Sequence, residues 1–120
     1  MRRPSNKELF NKLRTGKKIV DIGNIYLINQ NSIAADAIEL GYQISNLKEI
    51  LSALLEEVQI ENYVGGHPPL KSYEALIKDS ELFEFRWISK RMGCNTYLKY
   101  CLKDEKFYLV SLHKHRVKDT

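Results

Sequence analysis

Near the C-terminus, side chains two positions apart repeat in kind over three consecutive runs, residues 81–88, 96–103 and 106–115. A period of two marks a strand, because successive side chains leave a pleated backbone on opposite faces. One face then gathers Phe83, Phe85, Trp87, Leu98, Tyr100, Leu102, Tyr108, Val110 and Leu112, and is predicted to be a core face. The other gathers Glu84, Arg86, Tyr97, Lys99, Cys101, Ser111 and His113, interrupted by Leu82, Ile88, Phe107 and Leu109. Turns around 92–95 and at Asp104-Glu105 are short enough to join the three runs as an antiparallel meander.

Upstream the period becomes helical. Ser5-Asn6-Lys7-Glu8 reads as a capping box opening a helix with Leu9, Leu13 and Val20 near one face. Gly16 is a potential break in that helix, and Gly23 a stop in the left-handed conformation. Residues 25–28 read as a short strand, since Ile and Tyr favour a pleated surface. Ser32 is predicted to cap a second helix ending at Gly41, with Ile33, Ala37 and Leu40 on one side. Leu47, Ile50, Leu51, Leu54, Leu55 and Val58 follow the i, i+3, i+4, i+7 pattern of a third helix, with Asn46 and Glu49 as its capping pair. Gly65-Gly66-His67-Pro68-Pro69 fixes an irregular loop, open to a role as a lip facing substrate, and 73–78 adds a helical turn.

Helices followed by sheet predict an α+β domain, with N-terminal helices laid against the apolar face of a small antiparallel sheet. At 120 residues, 43% hydrophobic and 28% charged, the chain fits one domain, 1–120, with one core. No apolar run approaches the roughly 18 residues of a membrane span, and Met1-Arg2-Arg3-Pro4 is not followed by a signal-peptide stretch, so a cytoplasmic protein with no membrane partner is expected. Cys94 and Cys101 lack CxxC spacing, which leaves disulfide frameworks and zinc ribbons without support.

The net charge of +4 is unevenly placed. Residues 1–18 hold seven basic and one acidic side chain, residues 19–85 three and eleven, and residues 86–120 nine and three. If the two basic ends meet, they form a surface suited to a polyanion; otherwise they are ordinary solvated termini.

The polar strand face gathers a carboxylate, a guanidinium, a phenol, an ammonium and an imidazole. RNA brings its own nucleophile, the 2′-hydroxyl, so cutting it needs a base, an acid and cations for the developing phosphorane charge. Arg can grip a phosphate bidentately and Lys acts as a point charge, while imidazole titrates near neutrality. The competing reading is plain surface stabilisation by cross-strand pairs such as Glu84 with Lys99. His113 and His115 share strand parity and form half a metal site, but no Asp, Glu or Cys stands nearby at ligand spacing, so no metal or other cofactor is expected. Tyr63, Tyr73 and Trp87 are candidates for base stacking, Trp87 being on the core parity, and His67 reads as a turn residue.

The order of these parts is informative. Lys17-Lys18-Ile19-Val20-Asp21-Ile22-Gly23, the helix 32–41 ending in Glu39-Leu40-Gly41, Tyr97-Leu98-Lys99, and Leu109-Val110-Ser111-Leu112-His113 together resemble the MqsR family of bacterial toxins, within the RelE-like group. The resemblance covers most of the chain through short motifs. It implies a RelE-like fold and a metal-independent mRNA endonuclease, an mRNA interferase held inactive by a cognate antitoxin, with the active site on the sheet. Tyr97 matches the family's strand tyrosine, an active-site position. Glu84 stands where the family has Gln and His113 where it has Lys, and Lys71 and Lys78 are the candidates for a further family lysine. Early carboxylate, middle cation and terminal histidine look like the YoeB branch of the same group, which uses Glu as base and His as acid.

The expected site is therefore Glu84 as general base, His113 as general acid, Arg86 and Lys99 stabilising the phosphorane, and Tyr97 positioning substrate. Lys71, Lys90, Arg91, Lys114, His115 and Arg116 are expected to bind RNA. The partners expected are single-stranded mRNA, free or ribosome-bound, and the antitoxin. A non-catalytic RNA-binding or regulatory protein on the same scaffold is the alternative, and a module whose polar face binds another protein a third.

Overall fold

The computed structural model describes residues 4–115. In chain order the elements are α1 (Asn6–Asp21), β1 (Ile25–Leu27), α2 (Gln30–Leu40), α3 (Leu47–Glu57), β2 (Phe83–Ser89), β3 (Cys94–Lys103) and β4 (Lys106–Lys114), with short 3-10 turns at Ile44–Asn46, Ile60–Asn62 and Ala75–Ile77. The four strands form one sheet in the order β1-β4-β3-β2. The α+β class follows directly.

Helix and strand side chains share one buried cluster: Leu9, Leu13 and Val20 of α1 and Ile50, Leu51 and Leu54 of α3 join Phe83, Phe85, Trp87, Leu98, Tyr100 and Leu112. Ser5 accepts the Glu8 amide at 3.0 Å, which is the serine half of the expected capping box. Gly23, at φ +83°, ends α1 in a left-handed turn, its amide bonding to Val20 and that of Asn24 to Ile19.

Several expectations are corrected. Gly16 does not break α1, which runs unbroken for 16 residues. It lets the helix approach the sheet, since a Cβ there would meet the Phe107 ring at 3.4 Å and the Tyr100 ring at 3.5 Å. Ser32 is not a cap, because α2 begins at Gln30 behind Asn29. The Asn46–Glu49 pair forms no cap either: Asn46 ends a 3-10 turn and makes no side-chain cap bond, and Glu49 instead holds Arg91 at 2.8 Å.

The sheet is mixed rather than purely antiparallel. The 25–28 run supplies β1, which pairs parallel with β4 through Ile25–Phe107, Tyr26–Tyr108 and Leu27–Leu109, while β2–β3 and β3–β4 are the antiparallel meander expected. The largest correction lies in β4. Lys99 pairs with Ser111 but Tyr100 pairs with Leu109, so Val110 is an extra residue and the strand bulges there. One added residue reverses which face each side chain takes. Phe107 and Leu109 therefore belong to the main core, whereas Tyr108 and Val110, expected in that core, turn to the other face.

That reverse face is itself divided. At one end Leu82, Cys101 and Tyr108 form a second small core with Ile28 and Ile77. The covering segment loops out between 70 and 82: Leu82 bonds to Leu70 and Ser72 to Ser80, and the Ala75–Ile77 turn drops Ile77, fully buried, onto the sheet. Residues 63–64 and 70–71 also bond along β2 and the residues before it, through Tyr63–Phe85 and Lys71–Glu81 bridges, and so cover an otherwise open edge. The other half of the reverse face stays open.

Candidate active site

Register places six chemistry-bearing side chains on that open half in two adjacent rows. Glu84, Lys99 and Ser111 lie opposite one another across β2, β3 and β4, and Arg86, Tyr97 and His113 form the next row. Neighbouring strands are about 5 Å apart and successive same-face residues about 7 Å. The five expected catalytic residues thus share one patch.

Tyr97 is its centre. Its hydroxyl donates diagonally to Glu84 Oε1 at 2.5 Å, and its ring stacks on the His113 imidazole, with centroids 5.0 Å apart and planes inclined by 27°. Burial raises the phenol pKa well above the usual tyrosine value, and the hydrogen bond and charge of Glu84 raise it further. Tyr97 is therefore a fixed donor, since a phenolate beside a carboxylate is doubly disfavoured.

His113 has a defined orientation. Its Nδ1 lies 2.6 Å from the Lys114 carbonyl oxygen, and because a carbonyl only accepts, Nδ1 carries a proton. Nε2 is left as the nitrogen that can gain or release one. Glu84 and Lys99 make no ion pair despite facing each other in register, so the cross-strand salt bridge that would have explained them as surface decoration is not formed. The carboxylate is held by Tyr97 instead.

A third row continues the open half. Ile88 faces Asn95 across β2 and β3, and the His115 amide bonds to the Asn95 carbonyl at 2.8 Å. Ile88 is 79% exposed. Asn95, expected in a turn, lies in β3, which begins at Cys94, and Ile88, an apolar interruption of the polar face, shares the parity of Arg86.

The other expected RNA contacts are scattered. Lys71 is exposed on the loop bridge to Glu81, and Lys90 lies in the turn after β2. Arg91 is turned toward α3, its guanidinium on Glu49 and its amide 3.3 Å from Glu57, whose other oxygen accepts Trp87 Nε1 at 2.7 Å. Lys114 pairs with Thr96 and shares the strand parity of core residue Leu112, so it leaves the sheet on the helix side. Arg116 lies outside the described residues. Lys78 is exposed beside the covering loop.

Among the aromatic candidates, Trp87 packs in the core and Tyr63 is buried against Phe85, its hydroxyl donating to Gly66 at 2.6 Å. Tyr63 is therefore not a stacking platform. His67 stacks on Tyr63, with ring centroids 6.1 Å apart. Tyr73 is 98% exposed. Among the described residues, no three His, Cys, Asp or Glu side chains gather as a metal site. No helix described is long and apolar enough to cross a membrane.

Comparison of the chain with models of known protein families and with curated proteins finds no match.

Proposed function

We propose that this chain is a metal-independent RNA endonuclease of the RelE-like kind its sequence resembles, a cytoplasmic toxin that cuts single-stranded mRNA and is silenced by a cognate antitoxin. The observation that carries this reading is the junction at Tyr97, one ring hydrogen-bonded to a carboxylate and stacked on an imidazole. A base and an acid are thereby held on either side of one fixed group.

Glu84 and His113 stand two strands and one row apart, about 12 Å between backbones, with Tyr97 in contact with both. A phosphodiester lying between them presents its 2′-hydroxyl to the Glu84 carboxylate and its 5′-oxygen to His113 Nε2. Glu84 takes the 2′-proton as that oxygen bonds to phosphorus. The bond from phosphorus to the 5′-oxygen then breaks, and His113 Nε2 delivers a proton to the departing oxygen. The products are a 2′,3′-cyclic phosphate and a 5′-hydroxyl. The Nδ1–H bond to the Lys114 carbonyl persists in both protonation states, so the ring need not turn as the proton leaves. Arg86 and Lys99, flanking Tyr97 and Glu84 in register, supply positive charge where the phosphorane becomes more negative.

The test is a defined single-stranded RNA incubated with the protein in EDTA. Fragments ending in 2′,3′-cyclic phosphate are expected, and Glu84→Gln and His113→Ala should each slow cutting by about 10²- to 10⁴-fold. Undiminished cleavage by either variant removes its assigned role. Salt-sensitive RNA binding without any cutting by the wild type replaces this reading with that of a non-catalytic RNA-binding protein.

A further inference from the structure

Of the six side chains in the two rows, only Ser111 has no part in the cleavage just described. It stands at a boundary made by the bulge. Val110, the extra residue, packs against the small core of Ile28, Ile77, Leu82, Cys101 and Tyr108, while Ser111 pairs with Lys99 and keeps the strand parity of His113. Bulges re-aim side chains in this way beside active sites. Ser111 is half-buried, and its hydroxyl bonds to no other described residue. Nor does Lys99 or Arg86 form an ion pair among the described residues. Three donors of different kinds thus surround the Tyr97 junction unengaged.

Tyr97 sets the side from which each donor can reach a phosphate. Its ring stacks with the His113 imidazole in the second row, and its hydroxyl crosses to Glu84 in the first. That hydrogen bond runs along a diagonal of the square formed by Glu84, Lys99, Tyr97 and Arg86, so Lys99 lies on one side of it and Arg86 on the other. Ser111 adjoins Lys99, on the side away from Arg86. A phosphodiester spanning Glu84 and His113 therefore meets Arg86 from one flank and Lys99 with Ser111 from the other. We propose that Ser111 Oγ donates a hydrogen bond to one non-bridging phosphoryl oxygen of the scissile linkage, beside Lys99, while Arg86 engages the other. The inference rests on the endonuclease reading.

The chemistry requires donors at these flanks. The attacking 2′-oxygen, the phosphorus and the departing 5′-oxygen lie in one line, set by Glu84 at one end and His113 at the other. The two non-bridging oxygens project sideways from that line, and they gain negative charge as the 2′-oxygen bonds to phosphorus. A donor already in place there is worth more in the transition state than in the ground state. Ser111 stands about 6 Å from the midpoint between Glu84 and His113. A serine side chain, a hydrogen bond of about 2.8 Å and a phosphorus–oxygen bond together cover that span. Ser111 keeps its own proton throughout, so it is a donor to the phosphoryl group and neither the acid nor the base.

The experiment takes a single-stranded RNA that the wild type cuts and replaces one or the other non-bridging oxygen at the cut linkage with sulfur. The two diastereomers are separated and cleaved in EDTA. Sulfur accepts a hydrogen bond poorly, so each diastereomer weakens one flank. On the unmodified RNA, Ser111→Ala should lower kcat roughly 10- to 100-fold, with KM little changed and the pH profile unmoved, and Ser111→Thr, which keeps a hydroxyl, should retain most of the rate. One diastereomer should slow the wild type but cost Ser111→Ala little further, while the other slows both proteins by the same factor. Arg86→Ala should show the opposite pattern. Circular dichroism checks that each variant is folded. A Ser111→Ala protein that cuts at the wild-type rate, or that keeps both sulfur penalties in full, overturns the Ser111 contact and leaves Glu84 and His113 in their roles. A wild type that cuts no RNA overturns the contact together with the nuclease.

Discussion

Tyr97 holds two groups at once, and its two contacts can be separated by substitution. Tyr97→Phe removes the donor to Glu84 but keeps the ring stacked on His113, whereas Tyr97→Ala removes both. Loss of one hydrogen bond of this kind costs about 1 kcal/mol of stability, measurable as a lower urea midpoint. In cleavage, Tyr97→Phe should lower kcat about tenfold or more with KM little changed, because the carboxylate would lose its fixed orientation while substrate contacts remain. A variant with wild-type kcat would show that the hydroxyl does not position Glu84. The faces of Glu84, Arg86, Tyr97, Lys99 and His113 were all legible from alternation, because β2 and β3 are regular through these positions and His113 lies beyond the bulge on the side that restores parity. What alternation does not encode is the diagonal: periodicity names Lys99 as the neighbour of Glu84, and only the side-chain conformations send the Tyr97 hydroxyl there instead.

Two of the sheet's devices lie in features too local for a period to reveal. The extra residue at Val110 interrupts alternation in the middle of a run where every side chain from Phe107 to Val110 is aromatic or aliphatic, so neither parity looks wrong in the sequence. Likewise β1 is three residues long, and nothing in Ile-Tyr-Leu says that its partner is β4 or that the pairing is parallel. The turn between β3 and β4 was legible, and it is strained. Asp104 and Glu105 both take positive φ, 54° and 57°, the pattern of a two-residue turn in which Gly is favoured at the second position. A side chain in this region costs about 1 kcal/mol. The backbone is nonetheless held, since the Asn24 side-chain amide donates to the Glu105 carbonyl at 2.8 Å and the Asn24 carbonyl accepts the Phe107 amide at 3.0 Å. The first uses a backbone atom of the turn and the second one of β4 just beyond it, so both survive substitution of the Glu105 side chain. Glu105→Gly should therefore stabilise the fold by about 0.5–1 kcal/mol, raising the melting temperature by a few degrees in a calorimetric scan. An unchanged or lower melting temperature would mean that added freedom in the unfolded chain outweighs the relieved strain.

Among the described residues, the cations of α1 and those of the open half-face lie on opposite sides of the sheet, whereas Arg91 and Lys114 fall on the helix side. Gly16 of α1 packs on Phe107 and Tyr100, and Lys12 Nζ lies 5.3 Å from the Phe83 ring centroid, so the described N-terminal cations belong to the helix side while Arg86 and Lys99 face the other way. Polyanion binding at the open half-face therefore draws on the strand cations. The same core ties the stability of the whole molecule to its phenols. Tyr100 is fully buried with its hydroxyl donating to the Lys12 carbonyl at 3.0 Å, and burial pushes its pKa far up. Burial, helped by the charge of Asp36, pushes Tyr42 up to about 12, and burial with Glu84 raises Tyr97. Each phenol thus keeps its proton in the folded chain at a pH where the unfolded chain, with ordinary tyrosine values near 10, has released it. Above about pH 10 the unfolded state binds fewer protons than the native state, so unfolding free energy must fall as pH rises. Below that pH both states are protonated and these groups add no slope. Urea midpoints measured from pH 8 to 11.5 should stay level as far as these phenols are concerned and then drop. Tyr100→Phe, whose ring keeps the contacts with Phe107 and Phe85, should start from a lower midpoint and decline less steeply. An identical alkaline slope in that variant would show that the Tyr100 hydroxyl ionises equally in both states, against the burial that surrounds it.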